Sequence, residues 1–228
     1  SSYKASKLVN ALLVQKYSDK VPSTNVSLMV TVTLNFLTTA LQSEGFVNKI
    51  GIKPYCTSAE QVMQLSLNIS SELYNSNPDV ICIMMRIEDI HPAILDLENR
   101  ANSTLVEVVK KEILTYVDQV ISAISANCSA TIIMHTFEAP DWDADITNEA
   151  LMPDSLWSIT QSVNLSLSLL LSKYRDVYLI NVERIINQTN MDSWRDDRLW
   201  YQGRIDFGAK NPRYLINSWM PIFKQKLG

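Results

Sequence analysis

The chain of 228 residues and 25.9 kDa is 46% hydrophobic with a mean hydropathy near zero, enough for one sizeable α/β core and short for two ordinary domains. A net charge of −4 and a pI near 5.2, with Lys and Arg scattered rather than striped, argue against nucleic acid as a partner, because phosphate binding needs a concentrated basic footprint. No apolar run reaches the roughly 18 residues of a membrane span, and the opening Ser1-Ser2-Tyr3-Lys4 is not an apolar signal core, so no membrane partner is expected.

Cys56, Cys82 and Cys128 are odd in number and far apart, and Cys82 lies inside an apolar run. Reduced thiols and a cytoplasmic location are therefore expected. Asn-x-Ser/Thr sequons at Asn25, Asn68, Asn102, Asn127, Asn164 and Asn187 are read as chance in a chain rich in Asn and Ser.

In chain order, Lys4 to Lys16 places Leu8, Leu12 and Leu13 at helical spacing, ended by Pro22-Ser23-Thr24. Residues 1–27 are thus read as a leading helix and linker, and 28–228 as one α/β domain. Leu28 to Leu34 is β-branched and strand-like, and it turns at Asn35 into a helix over Leu37, Ala40 and Leu41, closed by Gly45. Val47 to Tyr55 alternates as a second strand, and Pro54 puts it at a sheet edge or marks its end. Ser58 and Gln61 have capping-box spacing ahead of a helix with Val62, Leu65, Ile69 and Leu73 on one face.

Val80 to Met85 is unbroken and apolar, as in a strand covered on both faces, and it ends in Arg86, Glu88 and Asp89. A polar connection then leads to a long helix over Thr104 to Ala126, with Leu105, Val108, Val109, Ile113, Tyr116, Val117, Val120 and Ile124 on its apolar face. Thr131 to Met134 is a fourth strand ending at His135. An acidic loop over 141–146 and a turn at Pro153 precede an apolar helix over Leu156 to Leu171. Val177 to Ile180 is a fifth strand, followed by a short helix, an aromatic and charged stretch from Asp192 to Gly208, and a last helix begun at Asn211-Pro212. This alternation predicts a three-layer α/β/α sandwich with a five-stranded parallel sheet.

Ligands of open α/β sheets bind outside the carboxyl ends of the strands. Asn35 and Thr38 follow the first strand, Arg86, Glu88 and Asp89 the third, His135 the fourth, and Asp197, Tyr201 and Arg204 the fifth. These are the candidate site residues, with Asn35, Thr38 and His135 in catalytic positions and the others as binding groups. Thr38 with His135 is the one pairing that could act as nucleophile and base, although a single His at a strand end is more often a structural hydrogen-bonding residue. Arg86, Glu88 and Asp89 are equally readable as an exposed ion-pair loop worth little, and Trp194, Trp200, Tyr201 and Phe207 as packing for the sheet edge. Arg204 can neutralise Glu88 or Asp89 or bind an anion; as a guanidinium it cannot serve as a base.

The layout resembles the SGNH/GDSL hydrolase fold. In that family the first strand ends in Gly-Asp-Ser, the third in Gly-x-Asn-Asp, and a late Asp-x-x-His supplies acid and base. Here Asn35 replaces the nucleophile block, Arg86-Ile87-Glu88-Asp89 replaces the oxyanion block, and Arg204 falls where the histidine is expected. A glutamate at an oxyanion position repels the charge that develops there.

Leu34-Asn35-Phe36-Leu37, Pro78-Asp79-Val80, Glu88-Asp89, Thr136-Phe137-Glu138-Ala139-Pro140 and above all Asp197-Arg198-Leu199-Trp200-Tyr201-Gln202-Gly203-Arg204 resemble the N-terminal half of FkbH-like proteins. The resemblance covers most of the chain from about Leu28 onward. It implies a degenerate hydrolase site in a polyketide or acyl-carrier assembly line, assisting the loading of a glycerate-derived or other acyl unit. It also implies an acyl carrier protein or neighbouring synthase domain as partner and no cofactor of its own beyond the phosphopantetheine that the carrier brings. The Asp-x-Asp-Thr phosphatase motif of the second half is not in this sequence. The alternatives are an esterase or acyltransferase with an altered triad, and a purely structural module.

Overall fold

Strand β3 (Val80–Met84) occupies the middle of a five-stranded parallel sheet because nearly every side chain on it is apolar and both its faces are covered. Around it the order is β2 (Gly51–Cys56), β1 (Ser23–Val30), β3, β4 (Thr131–His135) and β5 (Val177–Ile180). The computed structural model describes residues 21–30, 35–57, 61–99, 103–139, 148–188 and 212–227. Within them the helices are α1 (Asn35–Val47), α2 (Val62–Leu67), α3 (Glu72–Asn75), α4 (Ile87–Ile90), α5 (Ser103–Asn127), α6 (Leu156–Leu171), α7 (Val182–Gln188) and α8 (Pro212–Leu227), with 3₁₀ segments at Pro92–Asn99 and Glu149–Leu151. The expected leading helix, the capping box at Ser58, the 141–146 loop and the 192–208 stretch lie outside the described residues.

Side-chain alternation along the strands divides the core. Met29, Ile81, Ile83, Ile132 and Met134 pack under α2, α3, α5 and α6, while Val26, Leu28, Val80, Cys82 and Ile133 face α1, α7 and α8. The three-layer parallel sandwich expected from the alternating pattern is the fold observed.

Several boundaries differ from the sequence expectation. Strand β1 begins at Ser23 rather than Leu28, and the polar residues that look like a turn are paired instead. Asp79 Oδ2 accepts from the Asn25 amide at 2.8 Å and the Thr24 hydroxyl at 3.4 Å, and the Ser27 and Ser76 hydroxyls meet at 3.0 Å. With those partners Thr24 and Ser27 are tolerated in the interior. The single helix expected over Val62 to Leu73 is two short helices, and Ile69 is exposed between them. Asn68 Oδ1 accepts from the Ser70 amide and Ser71 Oγ donates to the Leu65 carbonyl, local bonds that compete with helix continuation. On α5, Val108 is exposed and Ile121 is buried in its stead, and the connection after Pro92 is a 3₁₀ segment that buries Ile94. Strand β2 is an edge strand, so Pro54 pairs with Val26 on one side and its missing N–H is harmless.

Gly45 does not close α1. It lies inside that helix, and the left-handed residue beyond the helix is Lys49, at φ 61°. What position 45 requires is the absence of a side chain: a Cβ there would stand 2.6 Å from Ile52 Cδ1 and 2.9 Å from the Ile50 carbonyl oxygen, the return of the chain into β2. An Ala in a helix interior ordinarily gains up to about 1 kcal/mol over Gly. At Gly45 the contact with backbone reverses the sign, and Gly45→Ala is expected to lower stability by about 1–3 kcal/mol in urea unfolding, the usual cost of overpacking; a gain in the midpoint would refute the close approach.

Candidate functional site

Parallel strands deliver their carboxyl ends to one rim, and the β3 exit carries the first charges there. Ile87 is fully buried and draws its neighbours inward, so Glu88, in the first turn of α4, is buried too. The Arg86 guanidinium meets the Glu88 carboxylate directly, with side chains only 12% and 10% exposed. The exposed ion-pair reading is thus corrected: this is a buried pair, whose separation would leave an uncompensated charge. Asp89 remains exposed, its amide bonded to the Arg86 carbonyl at 3.2 Å.

His135 ends β4 beside this exit, 4% exposed. Its Nε2 is 2.8 Å from Trp219 Nε1 and its Nδ1 is 3.0 Å from the Ile83 carbonyl oxygen. Indole N–H only donates, so Nε2 is the acceptor, and the ring proton lies on Nδ1, which donates to Ile83. The imidazole is therefore neutral, with both nitrogens engaged. Burial pushes its pKa from 6.5 down to about 4, against the opposing effect of the bond to Ile83. No lone pair is left to take a proton from Thr38, which lies half-buried in the first turn of α1.

The chain just past His135 is fixed from both helical layers. Thr136 Oγ1 accepts from the Val182 amide of α7 at 3.0 Å. The Asn164 amide of α6 binds Phe137 twice, accepting from its N–H at 2.8 Å and donating to its C=O at 2.9 Å, as a neighbouring strand would. Both polar atoms of that side chain are used.

Asn35 opens α1; its side chain is outside the description, as are Asp197, Tyr201 and Arg204 in their entirety. The structure thus brings together Arg86 with Glu88, and His135 with the strand that carries them. Trp219, Thr136 and Asn164 are not among the candidate site residues of the sequence. Of these only the tryptophan gives a signal, an amphipathic ring on an apolar helix face that needs an acceptor when buried. The second histidine, His91, also escaped notice. It caps α4, with Nε2 2.6 Å from Glu112 Oε2 and Nδ1 buried without a partner among the described residues. Among the described residues no three His, Cys, Asp or Glu side chains gather as metal ligands, and no helix is long and apolar enough to cross a membrane.

Two stability measurements check this arrangement. Trp219→Phe keeps most of the packing but leaves His135 Nε2 buried without a donor, so a loss of about 1–3 kcal/mol is expected on top of any packing change; a loss below about 0.5 kcal/mol would mean the bond is unimportant. For His135 itself the folded pKa lies below the unfolded one, so its neutral-state contribution is complete above pH 6.5 and is lost as pH falls toward about 4. The expected decline over that window is on the order of 3 kcal/mol, and His135→Gln should flatten that part of the profile. An identical acid limb in the variant would place the effect elsewhere.

Residues 25–222 match the family model described as FkbH, N-terminal domain. A search of curated proteins found no match. Among solved structures, the N-terminal part of BF1531 from Bacteroides fragilis, which contains a phosphatase domain and was complexed with Mg, superposes with a TM-score of 0.70 at 17% identity, over 89% of this chain and 51% of that one. The present chain thus spans about half the length of that neighbour. The lipase Lip_vut3 from a goat rumen metagenome gives a TM-score of 0.58 at 8% identity, covering 89% and 97%, and a Parabacteroides merdae protein described as a GDSL-like lipase gives 0.51 at 12%, covering 92% and 99%. At these identities the likeness is one of fold. It agrees with the hydrolase-like sandwich, and the family match over nearly the whole chain identifies this protein as a member of the FkbH N-terminal domain family.

Proposed function

We propose that this domain assists the loading of an acyl unit, a glycerate-derived one in the first instance, onto a carrier protein whose phosphopantetheine arm reaches the strand-end crevice, and that it does not hydrolyse esters. The observation that carries the second half concerns the imidazoles. The chain has two histidines. His135 uses both nitrogens internally, and His91 directs Nε2 to Glu112 while its Nδ1 is sealed from solvent. Neither offers an accessible lone pair to a serine or threonine nucleophile. At the β3 exit, where an acyl-transfer enzyme places donors for a developing oxyanion, Glu88 presents a carboxylate already bound to Arg86.

Membership in the FkbH family supports the first half. In this reading Arg86, Glu88 and Asp89 form the β3 side of the crevice with Thr38 at the start of α1, and Asn35, Asp197, Tyr201 and Arg204 are proposed to serve the same site. Arg204 is proposed to orient an anionic group through its fixed fork of donors. Orientation and exclusion of water are what such a site can contribute when the covalent chemistry belongs to a partner.

One paired experiment separates this from an esterase with an altered triad. The chain is assayed with a short-chain aryl ester, and its affinity for a phosphopantetheine-bearing carrier protein is measured in parallel. Expected are ester cleavage at the buffer rate, carrier binding about tenfold weaker in Arg204→Ala, which is about 1.4 kcal/mol, and no hydrolysis gained by Arg204→His. Turnover that disappears in Thr38→Ala would establish the esterase reading, and unchanged carrier binding in Arg204→Ala would remove that residue from the site.

A further inference from the structure

A cleft of about 550 Å³ opens between the first turns of α5 and the start of α6, lined by those helices and the turn ahead of α6. Its volume lies within the roughly 300–1,000 Å³ of small-molecule sites. Val106 and Ile159, both buried, and Pro153 make an apolar wall.

The charges around that wall are poorly matched to one another. Lys110 brings an ammonium group on a side chain only 20% exposed, and among the described residues its ion-pair partner is Glu107, 3.8 Å away and 71% exposed. That distance is too long for a hydrogen bond, and the ammonium donates none to any described residue. Asp154, half-buried just before the Ser155 cap of α6, has no ion-pair partner among the described residues. Among the described residues the lining thus holds one cation and two carboxylates around an apolar surface.

Chemistry narrows the occupant. A polyanion such as a nucleotide meets more negative than positive charge. A hard divalent cation needs a compact cage of oxygens, and the lysine repels it. A wholly apolar ligand desolvates Lys110 and Asp154 without replacing their water. A ligand carrying a carboxylate, an ammonium group and an apolar body answers all of these groups together. Its carboxylate gives Lys110 the close charge-assisted bond that Glu107 does not, and its ammonium pairs with Asp154.

We infer that this cleft binds a zwitterion with apolar side chains, of dipeptide size. It lies on residues separate from the strand exits, and the inference does not rest on the acyl-loading reading.

The test titrates the 228-residue chain with L-leucyl-L-phenylalanine, its N-acetyl form and its C-terminal amide, following calorimetry and NMR shifts at Val106 and Ile159. Expected is saturable binding of the free dipeptide, at least tenfold weaker binding of each blocked form, and shifts at those two residues. Lys110→Met should erase the preference for a free carboxylate and Asp154→Asn the preference for a free ammonium group. No saturable binding at millimolar dipeptide, equal binding of the blocked forms, shifts confined to other residues, or preferences unchanged in the variants would each overturn the inference. The comparison of blocked ligands on the unaltered chain keeps the test decisive if a variant fails to fold.

Discussion

A buried chain of two hydrogen bonds runs from Trp219 on α8, through His135 at the end of β4, to the Ile83 carbonyl on β3. The donor-only indole dictates the imidazole tautomer, and the tautomer dictates which nitrogen reaches the strand. Since β3 continues from Ile83 directly into Met84, Met85 and Arg86, this chain ties the outer helix to the origin of the charged rim. Trp219 also meets Phe223 edge-on at 6.5 Å between ring centroids, so the polar tie is embedded in aromatic packing. A fully satisfied network of this kind rigidifies its surroundings, and its cost falls due only when one member is removed.

The same principle governs the rest of the rim. Beyond His135 a free segment would have unpaired backbone groups. The Thr136 amide avoids that by donating to the Ile180 carbonyl of β5 at 2.9 Å, the Asn164 side chain on α6 pairs with both backbone groups of Phe137, and the Thr136 hydroxyl accepts from the Val182 amide of α7. At the opposite end of the sheet, Asp79 does the equivalent for β1, accepting from Asn25 and Thr24. Side-chain oxygens and amides thus extend the sheet's ladder at both ends of the strands. The result is that the β3 and β4 exits are held in place by internal hydrogen bonds, a property that suits orientation of a bound group.

How far the sequence could be read follows from where polarity was placed. Strands β3, β4 and β5 and helix α6 were legible because continuous apolar runs admit few other readings. Strand β1 was misjudged at its start because Ser23, Thr24, Asn25 and Ser27 have turn propensities, and the partner that rescues two of them, Asp79, is more than fifty residues away in the chain. The break at Asn68 has local causes, but an apolar spacing that ran on to Leu73 concealed it. The site was half legible. Strand-end placement puts Arg86, Glu88 and His135 at one rim, whereas the pairing of His135 with Trp219 joins residues 84 apart, which no window of sequence displays. The FkbH resemblance was carried chiefly by the stretch around Arg204, and the family match extends it across residues 25–222.

Hydrolytic machinery depends on a nucleophile, a base and oxyanion donors acting as a unit, so losing one component removes most of the rate that the set provides. Among the described residues two features oppose such a unit by separate physical routes. The imidazole at the end of β4 is withdrawn from solvent and held neutral by its bonds, while the β3 exit replaces donors with a buried carboxylate and its guanidinium partner. Changing either alone leaves the other in place: freeing His135 does not remove the Glu88 carboxylate, and a donor in place of Glu88 does not free the His135 nitrogens. A fold shared with a lipase therefore does not by itself assign lipase chemistry, since the sandwich supplies only the scaffold and the side chains at its rim decide its use.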